Sequence, residues 1–296
     1  MSDIGGQAVI EGVMMKNKDK LAIAVRKPNG KIAIKKQRLK PKPSFQKLPF
    51  IRGIVNLIEM LIIGMKALTW SANQTTDKEE EKLSKTELTW TIIISLIIVI
   101  VFFVALPYFL TFLVGAREES NPIVFNFIDG LIKISFFLIY ILFISRMKEV
   151  KTLFQYHGAE HKAINCHENK KPLTVENAKK YTTLNPRCGS SFLEIVLIIS
   201  IIVFSILPIF LNSLFPSFQD LSFITKKVFL FISRIIVIPI IAGASYELLK
   251  LSAKFKNNPI VRSVTLPGLW LQKITTKEPT RKQIEVAIKS LESVLK

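Results

Sequence analysis

Four long apolar runs dominate the sequence and restrict the chain to one broad class of fold. They cover residues 88–114, 122–145, 192–212 and 228–249. The hydrocarbon core of a bilayer is about 30 Å thick, and a helix of about 20 residues can cross it. The mean hydropathy of +0.36 is also too high for an ordinary soluble domain. The sequence therefore predicts an α-helical integral membrane protein with four transmembrane helices.

The positions of the basic residues indicate how these helices are oriented. The chain has a formal net charge of +19. In the two short connections between the runs, 115–121 and 215–227, the only Lys and Arg residues are Arg117, Lys226 and Lys227. The other segments outside the runs carry nearly all the remaining Lys and Arg, and cytoplasmic segments are enriched in these residues. We therefore predict an inner (cytoplasmic) membrane protein with both termini and the central loop in the cytoplasm. Its expected partner is the lipid bilayer, and nucleic acid is not expected.

The order of polar and apolar segments divides the chain into six predicted parts. They are a small cytoplasmic β-hairpin unit with a basic linker (1–47), an interfacial amphipathic helix with a charged linker (48–87), transmembrane helices 1 and 2 (88–145), a cytoplasmic loop with His and Cys residues (146–191), transmembrane helices 3 and 4 (192–249), and a cytoplasmic amphipathic tail (250–296).

The N-terminal part has the alternation of a small β unit. Apolar residues alternate with other residues on both sides of a turn signal at 28–30, which predicts a hairpin. Residues 5–15 are predicted to add a third strand. Glu11 is the one charge in that strand, and it either faces the site described below or lies on a strand edge.

Two amphipathic helices are predicted outside the apolar runs. In residues 50–72 a narrow polar stripe interrupts an apolar helix, which indicates a position in the cytoplasmic interface or against the bundle. In the tail, Thr280 and Gln283 form a capping box. The helix that follows has an apolar face, which is expected to dock on the β unit or on a second copy of the chain, so a homo-oligomer is one expected state.

All three histidines lie within residues 156–168. If this stretch is helical, His157 and His161 share one face, with Glu160 beside them. The H-x-x-E-H spacing is the one listed for inverzincins, in which both histidines bind zinc and the glutamate is the general base. The sequence therefore predicts a divalent metal site, with zinc preferred, at His157 and His161, and Glu160 as the catalytic base. The alternative is a helix end with two ordinary hydrogen-bonded histidines.

The third and fourth ligands are less strictly specified. Cys188 immediately precedes the third run, at a predicted helix N-terminus where the helix dipole favours a thiolate. With the two histidines it makes a three-ligand site with one open position, whereas adding Cys166 makes a closed structural site. Glu194 and Glu247 lie near the cytoplasmic ends of the third and fourth runs, and Glu247 is the preferred of the two as an oxygen ligand or a partner of a histidine.

The second and fourth apolar runs carry charges toward their outer ends. Asp129 and Arg234 each lie six residues from the outer starts of their predicted helices, which are at about Ile123 and Val228, at equal depth. Because an unpaired charge in hydrocarbon is costly, we predict that Asp129 pairs with Arg234. The alternative is a contact within one helix between Asp129 and Lys133.

The chain resembles a known family in four stretches, which are residues 5–15, 156–162, 173–177 and 186–192. The resemblance is to the YqhQ family of multi-pass bacterial membrane proteins of unknown function, labelled as predicted metal-dependent enzymes. It implies a metal-dependent activity and covers essentially the whole chain. In that family a histidine often stands where this chain has Asn185 and an aromatic where it has His167, which makes both residues poor candidates for the core site.

Three functions are consistent with these features. The preferred one is a membrane-embedded metal-dependent enzyme, a hydrolase with a cytosol-facing zinc-type site that acts on a lipid-linked or membrane-protein substrate. The alternative is a metal-stabilised scaffold that binds a partner without catalysis. A small-solute transporter that uses the charges within the membrane is the third hypothesis.

Overall fold

The four apolar runs are helical, which confirms the predicted helices of membrane-crossing length. Within the described residues, four helical segments are long and apolar enough to cross a membrane: Thr89–Leu113, Pro122–Ile144, Ser191–Leu214 and Ile224–Leu251. The structure is a computed structural model, and it describes residues 4–41, 43–76, 84–118, 120–186, 188–255 and 258–296.

The helices follow one another along the chain and are numbered in that order. They are α1 (Ile51–Gln74), α2 (Lys85–Ile100), α3 (Leu106–Leu113), α4 (Pro122–Ile144), α5 (Lys148–Glu168), α6 (Val175–Lys179), α7 (Gly189–Leu214), α8 (Phe223–Lys254), α9 (Pro259–Thr275) and α10 (Arg281–Leu295). A π-helical stretch, Val101–Ala105, joins α2 to α3. Pro107 follows it and has no N–H to continue the regular helical hydrogen bonds, which explains the irregular turn.

Helix α7 is the centre of the membrane-length bundle. It packs against α4 and α8, and its N-terminal part also contacts α9. Gly130 of α4 lies so close to Ile201 of α7 that an added Cβ would be 2.5 Å from the isoleucine side chain. Small residues at such points allow helices to approach closely where no hydrophobic effect drives their association.

The N-terminal part forms a four-stranded antiparallel sheet in the order β1-β2-β3-β4. The strands are β1 (Ile4–Val9), β2 (Gly12–Asn17), β3 (Lys20–Arg26) and β4 (Ile32–Arg38). The prediction of a single strand over residues 5–15 was wrong, because a two-residue turn at Ile10 and Glu11 divides it. Glu11 has a φ of 49°. Such turns usually contain glycine or asparagine, so the sequence carries no ordinary signal for this one.

The sheet lies between helices on both faces. Helix α1 covers one face, while α5 and α10 cover the other. The tail helix α10 therefore docks on the β unit, the first of its two predicted positions. Helix α1 also packs against α8, so it connects the sheet to the bundle. The position against the bundle was one of the two predicted for this helix. We call the sheet with α5, α6 and α10 the head.

The predicted pair between Asp129 and Arg234 is not formed. Asp129 instead accepts a hydrogen bond from Lys133 Nζ at 2.5 Å, one turn further along α4. This is the local alternative that the sequence left open. Residues four apart on a helix are already neighbours, so this pair forms whatever the position of α8.

Arg234 pairs with a carboxylate that the sequence analysis did not consider. Glu118, in the connection between α3 and α4, is only 4% exposed and accepts from Arg234 at 2.6 Å. It also accepts from Lys227 Nζ and from the Tyr108 hydroxyl, each at 3.1 Å. One buried carboxylate thus joins two cations of α8 to the short connection, which removes the need for Asp129.

Helix α10 is predicted to contribute strongly to the stability of the head. Leu291 is fully buried between α10, the sheet and α5, so Leu291→Ala should lower the free energy of unfolding by about 2–5 kcal/mol. The matched control is Leu295→Ala in the same helix, where the side chain is 36% exposed. Denaturant unfolding of the purified protein in detergent measures both variants. An equal effect of the two substitutions would contradict this packing.

Candidate metal centre

Helix α5 brings the two predicted histidine ligands together. It is continuous from Lys148 to Glu168, which confirms that the H-x-x-E-H stretch is helical. The rings of His157 and His161 lie one turn apart with their centroids separated by 4.5 Å. His161 is 1% exposed, whereas His157 is half-buried. One ring is therefore sealed in the protein and the other borders more open space.

Cys188 completes a cluster of three potential ligands. It immediately precedes α7, and its Sγ lies 3.1 Å from His157 Nε2. One ligand atom from each of His157, His161 and Cys188 lies within 4.8 Å of the others. Tetrahedral zinc with bonds of about 2.0–2.3 Å separates its ligand atoms by roughly 3.5 Å, so the three side chains can reach one ion with small adjustments.

Backbone carbonyls orient both imidazole rings. His157 Nδ1 lies 2.9 Å from the carbonyl oxygen of Thr275, and His161 Nδ1 lies 2.5 Å from that of Thr183. A carbonyl only accepts, so each Nδ1 carries the proton and donates it. The tautomer leaves the Nε2 lone pair of each ring free to bind a metal, which is the usual arrangement around a metal-binding histidine. This donor set fits a zinc-type ion.

Two polar side chains of α5 hold the segment that supplies the Thr183 carbonyl. Lys162 Nζ donates to the carbonyls of Lys179 at 3.0 Å and Tyr181 at 2.7 Å. The Asn165 side-chain amide donates to the carbonyls of residues 182 and 184 at 2.9 and 3.1 Å. Together they align residues 179–184 along α5, and this alignment fixes the position of the carbonyl that orients His161.

Helix α9 holds the other side of the site. The buried side-chain amide of Gln272 accepts from the N–H of Asn185 and donates to its C=O, both at 2.8 Å. This double hydrogen bond fixes the backbone three residues before Cys188. Close approach of the chain after α9 depends on Gly158, because an added Cβ there would lie 2.2 Å from the carbonyl oxygen of Lys277. The glycine between the two histidines therefore has a packing role.

Glu160 lies beside the three potential ligands. Its Oε2 is 3.5 Å from His161 Nε2, and the residue is only 4% exposed. Burial raises the pKa of this carboxyl to about 7, and the neighbouring imidazole of His157 partly opposes that shift. The carboxylate rests against Gly6 of β1, where an added Cβ would come within 2.7 Å of Oε1. Only glycine leaves room for this contact between the sheet and the site.

A small cavity opens next to Glu160. Its volume is about 70 Å³, and it is lined by β1, by α5 and by the segment before α7, including Gly6, Glu160, His161, Asn185 and Cys188. Two ligands of the cluster and the proposed base thus face one common space. A small reacting group could enter it and reach all three.

Two predicted ligands lie elsewhere. Glu247 forms a salt bridge with Arg52 of α1 and accepts from the N–H of Phe50 at 3.3 Å, so it joins α1 to α8 instead of binding at the cluster. Cys166 is fully buried in the core between the sheet, α5 and α10, and its thiol points toward the carbonyl of Pro172 at 3.6 Å. Burial raises its thiol pKa. The closed site with two cysteines is therefore not formed.

Two further acidic residues were considered from the sequence. Glu11 accepts from the hydroxyl of buried Tyr156 at 3.1 Å, so it supports α5 one residue before His157 and does not join the cluster. Glu194 lies against Gly268 of α9, where an added Cβ would be 2.6 Å from its Oε2. Neither carboxylate belongs to the group of three ligands.

Sequence reasoning missed Thr183, Gln272 and Thr275. Thr183 and Thr275 act through backbone carbonyls, which every residue has, so no choice of side chain marks them. Gln272 lies on α9, next to residues predicted to be interfacial. In the sequence it is an uncharged polar residue with no motif that marks it.

The fold and the cluster define a class of protein, a helical bundle of membrane-crossing length joined to a head that carries a candidate metal centre. Residues 48–296 match the family model described as "Protein of unknown function (DUF1385)", and the chain belongs to this family. It is similar to the protein named "Uncharacterized protein YqhQ" from Bacillus subtilis (strain 168), with 35% identity over 309 aligned residues that cover 99% of this chain and 92% of the relative. The resemblance found in the sequence is thereby confirmed. No solved structure matches the chain.

The three-residue cluster predicts which substitutions remove a bound metal. Purified wild-type protein exposed to zinc and then desalted should retain about one zinc ion per chain, measured by mass spectrometry of the metal. His157→Ala, His161→Ala and Cys188→Ala should each reduce retention at least about ten-fold, the scale of losing even an indirect support of a metal site. The controls are His167→Ala and Cys166→Ala, which lie outside the cluster and should retain the ion. Retention by all three cluster variants would refute the site.

Proposed function

We propose that this protein is a membrane-embedded metal-dependent hydrolase with a zinc-type site formed by His157, His161 and Cys188. The observation that carries the proposal is the convergence of these three ligand atoms beside the buried carboxylate of Glu160, which lines a cavity together with His161 and Cys188. Three protein ligands are typical of catalytic zinc sites, because a fourth position stays available for the reaction.

The chemistry divides between the ion and the chain. A bound zinc ion would act as a Lewis acid that polarises a carbonyl or phosphoryl oxygen of the substrate. The carbonyls of Thr275 and Thr183 hold the imidazoles in the tautomer that binds the ion. Glu160 accepts the proton of the attacking water at its carboxylate, since it faces the cavity and no lysine or arginine is paired with it within the described residues. The buried surroundings limit access of bulk water.

The position of the cluster supports a substrate attached to or embedded in a membrane. Cys188 lies three residues before the membrane-length segment that begins at Ser191, and His157 lies thirteen residues beyond the end of the segment at Ile144. The cluster is thus next to the ends of two such helices. This supports a lipid-linked or membrane-protein substrate, and the distribution of Lys and Arg supports a cytoplasmic location of the site.

Glu160→Gln tests the proposal, because it separates catalysis from scaffolding. The variant keeps the size of the side chain but cannot accept a proton, so a hydrolase should retain its zinc and lose at least about a hundred-fold in turnover. The matched control is Glu149→Gln, an exposed glutamate in the first turn of the same helix and outside the cavity lining. Activity is measured by mass spectrometry of products released from a membrane extract, and complementation of a deletion strain gives a second measure. A Glu160→Gln protein that supports full function would favour a scaffold instead.

The proposed orientation has its own test. Ser217 lies in the short connection between α7 and α8, and Ser44 lies between β4 and α1. In intact cells without an outer-membrane barrier, Ser217→Cys should react with a membrane-impermeant maleimide, whereas Ser44→Cys should react only after the membrane is permeabilised. The opposite pattern of labelling would place the site outside the cytoplasm and overturn this part of the proposal.

A further inference from the structure

One edge of the sheet borders the candidate metal centre. The strand order makes β1 an edge strand, and its residues Ile4, Gly5 and Gly6 line the cavity together with Glu160, His161 and Cys188. A segment that pairs with this edge would therefore lie next to the cluster. A sheet edge offers main-chain donors and acceptors in a regular row.

The register of the first hairpin shows which groups of β1 point outward. A two-residue turn joins Val9 to Gly12, so these two residues form the hydrogen-bonded pair that closes the hairpin. Hydrogen-bonded and non-hydrogen-bonded pairs alternate along an antiparallel ladder. Gln7 and Gly5 therefore also bond to β2, while Ile4, Gly6 and Ala8 direct their N–H and C=O groups away from the sheet.

These outward groups are available at the cavity. Within the described residues, no hydrogen bond joins the backbone of Ile4 or Gly6 to a segment other than β2. Gly5 is exposed, and an added Cβ at this position would meet no atom within 4 Å. The face of β1 that points away from Glu160 is therefore open at this point.

The contact between Gly6 and Glu160 places this edge next to the reactive groups. An added Cβ on Gly6 would lie 2.7 Å from Glu160 Oε1, so the outward N–H and C=O of Gly6 lie beside the proposed base. A strand paired with this edge would run past Glu160 and the cavity. Its own peptide groups would then lie in front of the cavity, which is large enough for a few water-sized groups.

We propose that the substrate of this site is an extended polypeptide segment that binds by adding a strand to the free edge of β1. The inference rests on the proposed function and specifies its substrate class. Strand addition supplies affinity through main-chain hydrogen bonds, whatever the side chains of the bound segment. It holds one peptide bond next to Glu160, where addition of water across the C–N bond yields a carboxylate and an amine, with no other reactant required.

The experiment uses full-length Glu160→Gln protein in detergent, loaded with zinc, so that bound peptides are not cleaved. The probe is a synthetic library of random decapeptides, and peptides retained after washing are identified by mass spectrometry. One retained peptide is then labelled to measure its dissociation constant. Ile4→Pro is then added to the Glu160→Gln protein. It removes one outward N–H of β1 without removing a bond to β2. Peptide binding should weaken about ten-fold, the effect of one lost hydrogen bond.

The opposite edge provides the matched control. By the same alternation, counted from the hydrogen bond between Lys27 N–H and Lys31 C=O, Ile34 of β4 also points its N–H outward. Ile34→Pro makes the same chemical change far from the cavity and should leave peptide affinity unchanged. Hydrogen exchange of the protein without either proline gives an independent measure, because a bound peptide should slow exchange in residues 4–8 and not in residues 32–38.

The outcomes separate this inference from the proposed function. Zinc retention with no peptide bound, or binding that protects neither Ile4 nor Gly6 from exchange, overturns strand addition and leaves the metal site intact. Hydrolysis of phosphatidylglycerol vesicles by the wild-type protein, without cleavage of any library peptide, assigns a lipid substrate and also overturns it. Loss of the zinc site itself would appear in the metal measurement before any peptide is added.

Discussion

The buried ammonium group of Lys162 is the interaction on which the site depends. Lys162 is only 4% exposed, and a charge removed from water must be compensated by several partners. It donates to two carbonyls at the end of α6, and it also pairs with Glu278, before α10, at 2.9 Å. One side chain therefore ties α5 to the two segments whose carbonyls orient the histidines. This explains why a lysine directly follows His161 in the sequence.

The elements that could be predicted from the sequence are those whose signal is local. Long apolar runs identify helices of membrane length, and four-residue spacing places His157 and His161 on one face. Cys188 was found because it lies at the start of an obvious helix. Each inference needs only the few residues around it, so the tertiary structure could not reverse it. The same reasoning explains why the Asp129 and Lys133 pair, within one helix, formed in place of the pair between two helices.

The features that escaped prediction depend on distant parts of the chain. Glu247 was predicted at the metal site because it lies near the same predicted end of the bundle. In the structure, the packing of α1 against α8 pairs it with Arg52 instead. Glu118 was overlooked because a short connection gives no sign that its carboxylate turns inward to Arg234. Equal depth in a membrane places two residues on the same level without giving the direction in which each helix faces. Only the packing of α4 and α8 against α7 supplies that direction.

The separation of the two cysteines bears on what kind of site this is. A structural zinc site would use both thiols and close the coordination sphere. Here Cys166 is fully buried in the core of the head, on the face of α5 that meets the sheet and α10, while Cys188 lines the cavity with His161 and lies beside His157. Bringing Cys166 to the cluster would require rotation of α5 and loss of that core. The packing of the head therefore limits the cluster to three potential protein ligands, and the fourth position that would stay open on a bound ion favours the catalytic role proposed for it.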